Sequence, residues 1–332
     1  NIGHKMNIRM ISVSDINSIL SYKTCINIIR KVMVETTNRN VHLPLRQGMR
    51  LNDDDKILGY MFGYLGEPKC FGVKLVSLFK NNNEKGYSSH LGLMVLYEIN
   101  NGLPIAIMDG SVITSIRTAA ASAVATEYLA RKKVSILSIL GTGEQAKSHL
   151  YSMNCVRSFN QIKIWGRNPD KVQTFINKHK NNINTNLKYA ENVESAVKNA
   201  DVICTVTSSS KPILFSKWIR SGAHLNLVGS SVPNKSEVDS DIVLKSKYYV
   251  DYLESTLAQA GEFLIAKKNR LLDDSHIQGE IGEVILGKKK GRTSDTEITV
   301  YKSLGIASQD LAAAYYVYQN AKNNNIGQLI KI

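Results

Sequence analysis

The chain has 332 residues, room for two domains of ordinary size, and its 43% hydrophobic and 21% charged residues exclude a mainly disordered chain. No window offers the ~18 uninterrupted apolar residues of a membrane-spanning helix. Lys and Arg number 42 against 28 Asp and Glu, a formal net charge of +14, but the cations are scattered and no nucleic-acid-binding motif accompanies them.

The densest basic run, Lys288-Lys289-Lys290-Gly291-Arg292, reads as a solvated loop. The charge therefore predicts affinity for small anions, with neither nucleic acid nor membrane as partner. Residues 1–10 lack an apolar run, so no signal peptide is expected, and Met6 is a candidate natural start. The four cysteines, Cys25, Cys70, Cys155 and Cys204, form no C-x-x-C pair and no zinc pattern. They are expected to be reduced core thiols of a cytoplasmic protein without a metal site.

In chain order, residues 14–34 have helical spacing in two stretches. Ile16, Ile19 and Leu20 mark the first, Ile26, Ile29 and Met33 the second, with Ser14 as candidate N-cap. Runs at 57–65, 71–79, 91–99 and 103–108 predict short strands of a mainly antiparallel sheet. Asn100-Asn101-Gly102 is the hairpin turn, because Asn and Gly tolerate positive φ. The Ala-rich stretch 113–130 predicts a long, closely packed helix. From residue 134 strand and helix alternate. Strands are expected at 134–140, 161–165, 187–190, 202–207, 223–228 and, last, 248–252; helices run to about 155 and over 169–179 and 194–200. Such alternation predicts a parallel sheet with helices on both faces. It is expected to stop near Ile298. An amphipathic helix at 309–322, with Leu311, Tyr315 and Tyr318 on one stripe, then has no strand partner and is expected to return to the first domain. The predicted fold is α/β: a doubly wound parallel sheet inserted into a discontinuous α+β domain.

Chemistry concentrates at Gly141-x-Gly143-x-x-Ala146, between a strand and a helix. The first glycine permits the tight turn, the second lets backbone approach a pyrophosphate, and the small third residue lets helix and strand pack. The phosphates would sit on the helix N-terminus, beside Thr142, Glu144 and Gln145. An NAD site usually carries an acid at the end of the second strand. Trp165-Gly166-Arg167-Asn168 has none, and Arg167 suits a 2′-phosphate. NADP(H) is expected over NAD(H). The strand ends Thr205-Val206-Thr207 and Gly229-Ser230-Ser231 are expected to line the nicotinamide half, and Thr118 and Ser303 complete the expected cofactor-binding set. In the first domain Lys74, Arg117 and Arg46 lie on or beside elements expected to be buried. Each alone reads more readily as a surface charge; converged, they would form a carboxylate site.

These residues resemble the ornithine cyclodeaminase/μ-crystallin family, from about Leu43 to the C-terminal helix. The matching stretches are Gly72-Val73-Lys74-Leu75-Val76-Ser77, Ile107-Met108-Asp109-Gly110, Ile113-Thr114-Ser115-Ile116-Arg117-Thr118-Ala119-Ala120-Ala121, Ile139-Leu140-Gly141-Thr142-Gly143, Ile164-Trp165-Gly166-Arg167, Gly291-Arg292-Thr293-Ser294-Asp295 and Tyr301-Lys302-Ser303-Leu304-Gly305. The resemblance implies a substrate-binding and dimerisation domain, residues 1–117 and 306–332, split around a Rossmann domain, residues 118–305. It implies a homodimer, and action on α-amino or α-imino acids with NAD(P). It also implies that Arg46, Lys74 and Arg117 hold the substrate carboxylate and that His90 lies near the substrate pocket.

Ornithine cyclodeaminases place a catalytic Asp just before a Cys-Pro. The matching residue here, in Gly229-Ser230-Ser231-Val232-Pro233, is Ser231, as in the imine reductases of the family, and a serine is a poor base. The expected function is therefore NAD(P)H-dependent reduction of a small α-imino acid, a ketimine such as pyrroline-2-carboxylate or piperideine-2-carboxylate, to the L-amino acid. Lys74 and Ser231 are the expected catalytic residues. Ornithine cyclodeamination, reductive amination of a keto acid in the manner of alanine dehydrogenase, and a non-catalytic binding role are the alternatives. Met61, Phe62, Tyr64 and Phe79 are candidates for the substrate's side-chain pocket.

Overall fold

The computed structural model describes residues 7–51, 56–79, 82 and 85–331, so Met6 lies outside the described residues. In chain order the first part comprises β1 (Asn7–Ile11), α1 (Val13–Ile19), α2 (Tyr22–Thr37), β2 (Val41–His42), β3 (Gln47–Arg50), β4 (Lys56–Leu65), β5 (Cys70–Phe79), β6 (His90–Tyr97), β7 (Pro104–Asp109) and α3 (Gly110–Leu129). There follow β8 (Ile136–Leu140), α4 (Glu144–Val156), β9 (Gln161–Trp165), α5 (Pro169–His179), β10 (Asn186–Tyr189), α6 (Val193–Val197), β11 (Val202–Thr205), β12 (His224–Leu227), α7 (Ser240–Lys245), β13 (Ser246–Val250), α8 (Leu253–Gln259), α9 (Gly261–Lys268), β14 (Ile277–Glu280), α10 (Ile281–Ile285) and β15 (Ile298–Lys302). The chain closes with α11 (Ala307–Asn323) and β16 (Gln328–Lys331). It divides into two units, Asn1–Arg117 with Ile306–Ile332, and Thr118–Gly305.

In the first unit the strand order is β16-β1-β7-β6-β5-β4-β2, with β3 also on β4. The pairing is antiparallel except for β1 on β7. Gly102, at φ +72°, closes the β6–β7 hairpin. The cap of α1 is Ser12 rather than Ser14: its hydroxyl takes the Asp15 N–H and the Asp15 carboxylate returns to Ser12 N. Ser21 caps α2 in turn.

The helix α11 lies on α2 and across β4 and β5. Two glycines make room for it. A Cβ on Gly63 would come within 2.8 Å of Leu311 Cδ1 and 2.9 Å of Ala307 Cβ, and Gly72 is Gly63's partner in the register. The stripe expected on α11 needs correction. Leu311 is buried, but Tyr315 and Tyr318 are half-exposed; the fully buried seam is Asp310, Ala314, Val317 and Ala321.

The second unit is a parallel sheet in the order β10-β9-β8-β11-β12-β15-β13-β14. Its core includes Leu140, Ile203, Leu225, Val250 and Val300. The alternation does not stop at Ile298: β15 starts there and lies between β12 and β13. The polar stretch 288–297 separates it from its neighbours in sequence and conceals it. Cys25, Cys70 and Cys204 are free core thiols, whereas Cys155 is exposed, which corrects the expectation of four core cysteines. Among the described residues no helix is long and apolar enough to cross a membrane. No group of three or more His, Cys, Asp or Glu there is placed to hold a metal ion.

Candidate active site

In the first unit, the register sets Lys74 of β5 directly opposite Met61 of β4 and Met94 of β6, on the face covered by α11. On α3, Thr114 and Arg117 stand three residues apart and so share a helix face. From the first turn of α11 come Gln309 and Asp310, where unpaired helix amides favour a negative charge. These groups meet. Lys74 Nζ donates to Asp310 Oδ2 at 2.7 Å and to Thr114 Oγ1 at 3.3 Å. Arg117 Nε donates to Asp310 Oδ1 at 2.7 Å, and its Nη1 to Gln309 Oε1 at 2.8 Å. Lys74 and Arg117 are each only 4% exposed, and Asp310 is fully buried. One Lys74 N–H and the Arg117 Nη2 remain without a partner among the described residues.

Burial lowers the pKa of the Lys74 ammonium to about 8; Asp310 opposes the fall, while Arg117 and Arg46 add to it. Arg46 thus belongs to the same cluster. For Asp310, burial alone would raise the carboxyl, but the Arg117 and Lys74 charges outweigh it and hold the group below its ordinary value. His90 shares the Lys74 face through its pairing with Leu78. It keeps an open side and bonds Ser89 Oγ through Nδ1 at 2.9 Å. Atoms crowded around the ring, and then the Lys74 charge, lower its pKa.

Among the pocket candidates only Met61 shares that face. Phe62, Tyr64 and Phe79 project from the other side of the sheet, by the period of two. Asp310 and Gln309 were not singled out from the sequence.

In the second unit Gly141 has φ +138°, and a Cβ there would lie 2.8 Å from Val206 O. Only glycine suits that position. Gly143 is the N-cap of α4, offers no side-chain cap, and would present a Cβ to open space. Ala146 is buried beneath. An uncapped helix start beside an open backbone turn fits a pyrophosphate. Thr142 is half-buried, Glu144 is exposed, and Gln145 has a buried Oε1 with no hydrogen bond. At the end of β9, Arg167 is exposed with no carboxylate beside it in sequence, and Asn168 caps α5 by accepting from Lys171 N at 3.1 Å.

The ends of β11 and β12 are tied by a carboxylate outside the expected set of site residues. Glu237 accepts from Thr205 Oγ1 at 2.8 Å, Thr207 N at 2.8 Å, Thr207 Oγ1 at 2.6 Å and Gly229 N at 2.7 Å. Its own burial nonetheless raises its carboxyl. Thr205 is fully buried, so its hydroxyl holds the strand end rather than offering a group to a ligand. Val206 contributes the carbonyl that crowds Gly141. Ser230 is buried, and its carbonyl accepts from Lys302 Nζ at 2.5 Å; that ammonium also pairs with Glu262 at 2.8 Å. Ser231 is half-buried, Thr118 is buried, and Ser303 has a buried hydroxyl with no partner.

The sequence profile of the ornithine cyclodeaminase/mu-crystallin family matches residues 6–325. The chain belongs to this family. Rat ketimine reductase mu-crystallin, one family relative, is 35% identical over 277 residues, which is 83% of this chain and 84% of that one. The structure of Thermococcus litoralis Δ1-pyrroline-2-carboxylate reductase in complex with NADH and L-proline is similar at TM-score 0.95 and 33% identity, over 97% of this chain and 100% of that one. An archaeal alanine dehydrogenase dimer with bound NAD is similar at TM-score 0.92 and 30% identity, over 98% and 100%.

Proposed function

We propose that this family member is an NAD(P)H-dependent oxidoreductase acting on imine and CH–NH bonds, and that it reduces a small α-imino acid, such as pyrroline-2-carboxylate or piperideine-2-carboxylate, to the L-amino acid. The observation that carries the reading is the buried pair of cations Lys74 and Arg117 on the single carboxylate of Asp310, with half-buried Arg46 close enough to act on Lys74, which leaves the buried trio one net positive charge. A dry site with surplus positive charge and unpartnered N–H groups suits one substrate carboxylate. Relatives named for ketimine and pyrroline-2-carboxylate reduction support the same substrate class.

Gly141, Thr142 and Gly143 would hold the cofactor's pyrophosphate, and Arg167 a 2′-phosphate, which makes NADP(H) the preferred form and NAD(H) the alternative. When bound, the reduced nicotinamide supplies a hydride to C2 of the imino acid. Lys74 and Arg117 anchor the carboxylate and so fix C2. The imine nitrogen takes its proton from solvent water before the hydride arrives, and Ser231 would bond that nitrogen or a water beside it. Such orientation is worth about 7 kcal/mol or more in well-aligned reactions. Ser231 disfavours ornithine cyclodeamination, because a hydroxyl is a poor acceptor for the ammonium protons. Reductive amination of a keto acid is the second reading. It uses the same cations, and the alanine dehydrogenase relative favours it.

A second copy of this chain is the proposed partner. The sheet face opposite Lys74 exposes Phe62 at 50%, Leu93 at 49% and Leu91 at 44%, and one relative is a dimer. We place the protein in the cytoplasm, where cysteines outside disulfides, as these four are, stay reduced.

The test is cofactor oxidation at 340 nm. NADPH or NADH is offered with pyrroline-2-carboxylate, piperideine-2-carboxylate, or pyruvate plus ammonia, and a parallel reaction scores ammonia from ornithine and NAD+. Oxidation with a cyclic imine is expected. Activity only with pyruvate and ammonia establishes the second reading. Ammonia from ornithine with silence elsewhere overturns both.

A further inference from the structure

We propose that Asp310 is a positioning residue of the substrate site: by taking one N–H from Lys74 on β5 and one from Arg117 on α3, it fixes two cations from different elements and keeps Lys74 charged at neutral pH. This rests on the reading of those cations as the carboxylate anchor.

A carboxylate inside an anion site is at first sight counterproductive, since it weakens the attraction the site exists to provide. Its value lies in what it prevents. Two cations sharing a dry interior repel, and an ammonium relieves that repulsion by losing its proton, an escape closed to a guanidinium. The charged or titratable groups around Lys74 are Arg117 from α3, Arg46 from the segment before β3, His90 from β6 and Asp310 from α11. Among the described residues that act on Lys74, Asp310 is the negative one. Around Asp310 are Lys74, Arg117 and the Cys25 thiol of α2, which burial pushes up to about 12 and so keeps neutral. Each carboxylate oxygen serves one cation, both at 2.7 Å. Gln309 fixes the other edge of the guanidinium, and its own Nε2 rests on Met33 Sδ at 3.4 Å. The directions of the unused Lys74 and Arg117 N–H groups therefore follow from the first turn of α11.

The experiment titrates Lys74 directly, by NMR of lysine-labelled protein, with Lys74→Arg identifying the resonance. In Asp310→Asn the Lys74 titration is expected to move to lower pH by roughly 1–3 units, the range for loss of an adjacent opposite charge. The basic limb of the kcat/KM profile should move with it, with activity recovering on the acid side of the shifted Lys74 titration. Adding Lys74→Arg to that variant should abolish the basic limb. If Asp310→Asn does not fold, Asp310→Glu keeps the charge one methylene away and should shift the titration less. An unmoved Lys74 titration overturns the proposal. So does a loss of activity equal at every pH, the signature of a merely structural residue. A shifted Lys74 in a protein that turns over no imino or keto acid supports the role of Asp310 in the cation cluster and overturns the proposed function instead.

Discussion

Lys74 combines two demands that pull against each other, burial and charge. Its ammonium, lowered to about 8, is protonated below that pH and neutral above it. KM for the imino acid should therefore climb as pH rises through about 8, and in Lys74→Arg it should stay flat over the same range. Lys74→Ala should cut kcat/KM by about 100-fold or more, with the circular dichroism of the folded chain retained, since Asp310 keeps Arg117 as partner. Wild-type turnover in that variant would remove Lys74 from the mechanism. Arg167 allows a test that is independent of substrate. Arg167→Ala should weaken NADPH binding by about tenfold and leave NADH binding unchanged, as read by fluorescence titration. An unaltered ratio would disconnect Arg167 from cofactor choice.

Elements translate these single residues into a site. The two glycines of the β8–α4 turn act differently, and substitution separates them. Gly141→Ala places a Cβ 2.8 Å from Val206 O at φ +138°, so it should lower stability by about 1–3 kcal/mol in thermal unfolding. Gly143→Ala meets no atom within 4 Å. The fold should keep its melting temperature while dinucleotide affinity falls about tenfold, because the new methyl fills the space the phosphates approach.

The glycine turn was legible because its residues do a local job, and local jobs leave local spacing. Asp310 was not. An acid three residues into an amphipathic helix ordinarily marks the solvent face. The first turn of α11 is instead buried all round, Ser308, Gln309 and Asp310 included. The clue was present in the Ala-Ala-Ala run after Leu311, whose small side chains let a helix approach on several sides. β15 was lost for a related reason. Its Thr299 and Lys302 are buried polar residues satisfied by distant partners, Leu129 O and Ser230 O, which no window of sequence displays.

At the scale of the whole molecule, alternation of strand and helix announced the Rossmann sheet, and the return of α11 to the first unit was inferred from its lack of a strand partner. The outward apolar face of the first sheet was harder to read, since its strands look like core on both faces. Phe62→Asp combined with Leu93→Asp should give a monomer in light scattering, against a dimer for the unaltered chain, without touching the Lys74 face. A dimer that survives both charges would place the partner elsewhere.

The antiparallel pairing of β1 with β16 carries a consequence for biosynthesis. During translation every residue of the second unit has been made by Gly305, so its sheet can form while synthesis continues. The first unit has to wait. Its sheet gains an edge strand, and Lys74 and Arg117 their counter-charge, only after residues 306–331 follow. Until then the nascent chain holds two buried-site cations with no acid between them and a sheet face without its covering helix. A message truncated after the second unit would thus yield a dinucleotide-binding domain tethered to an unfinished one, the kind of product that chaperones retain and proteases remove.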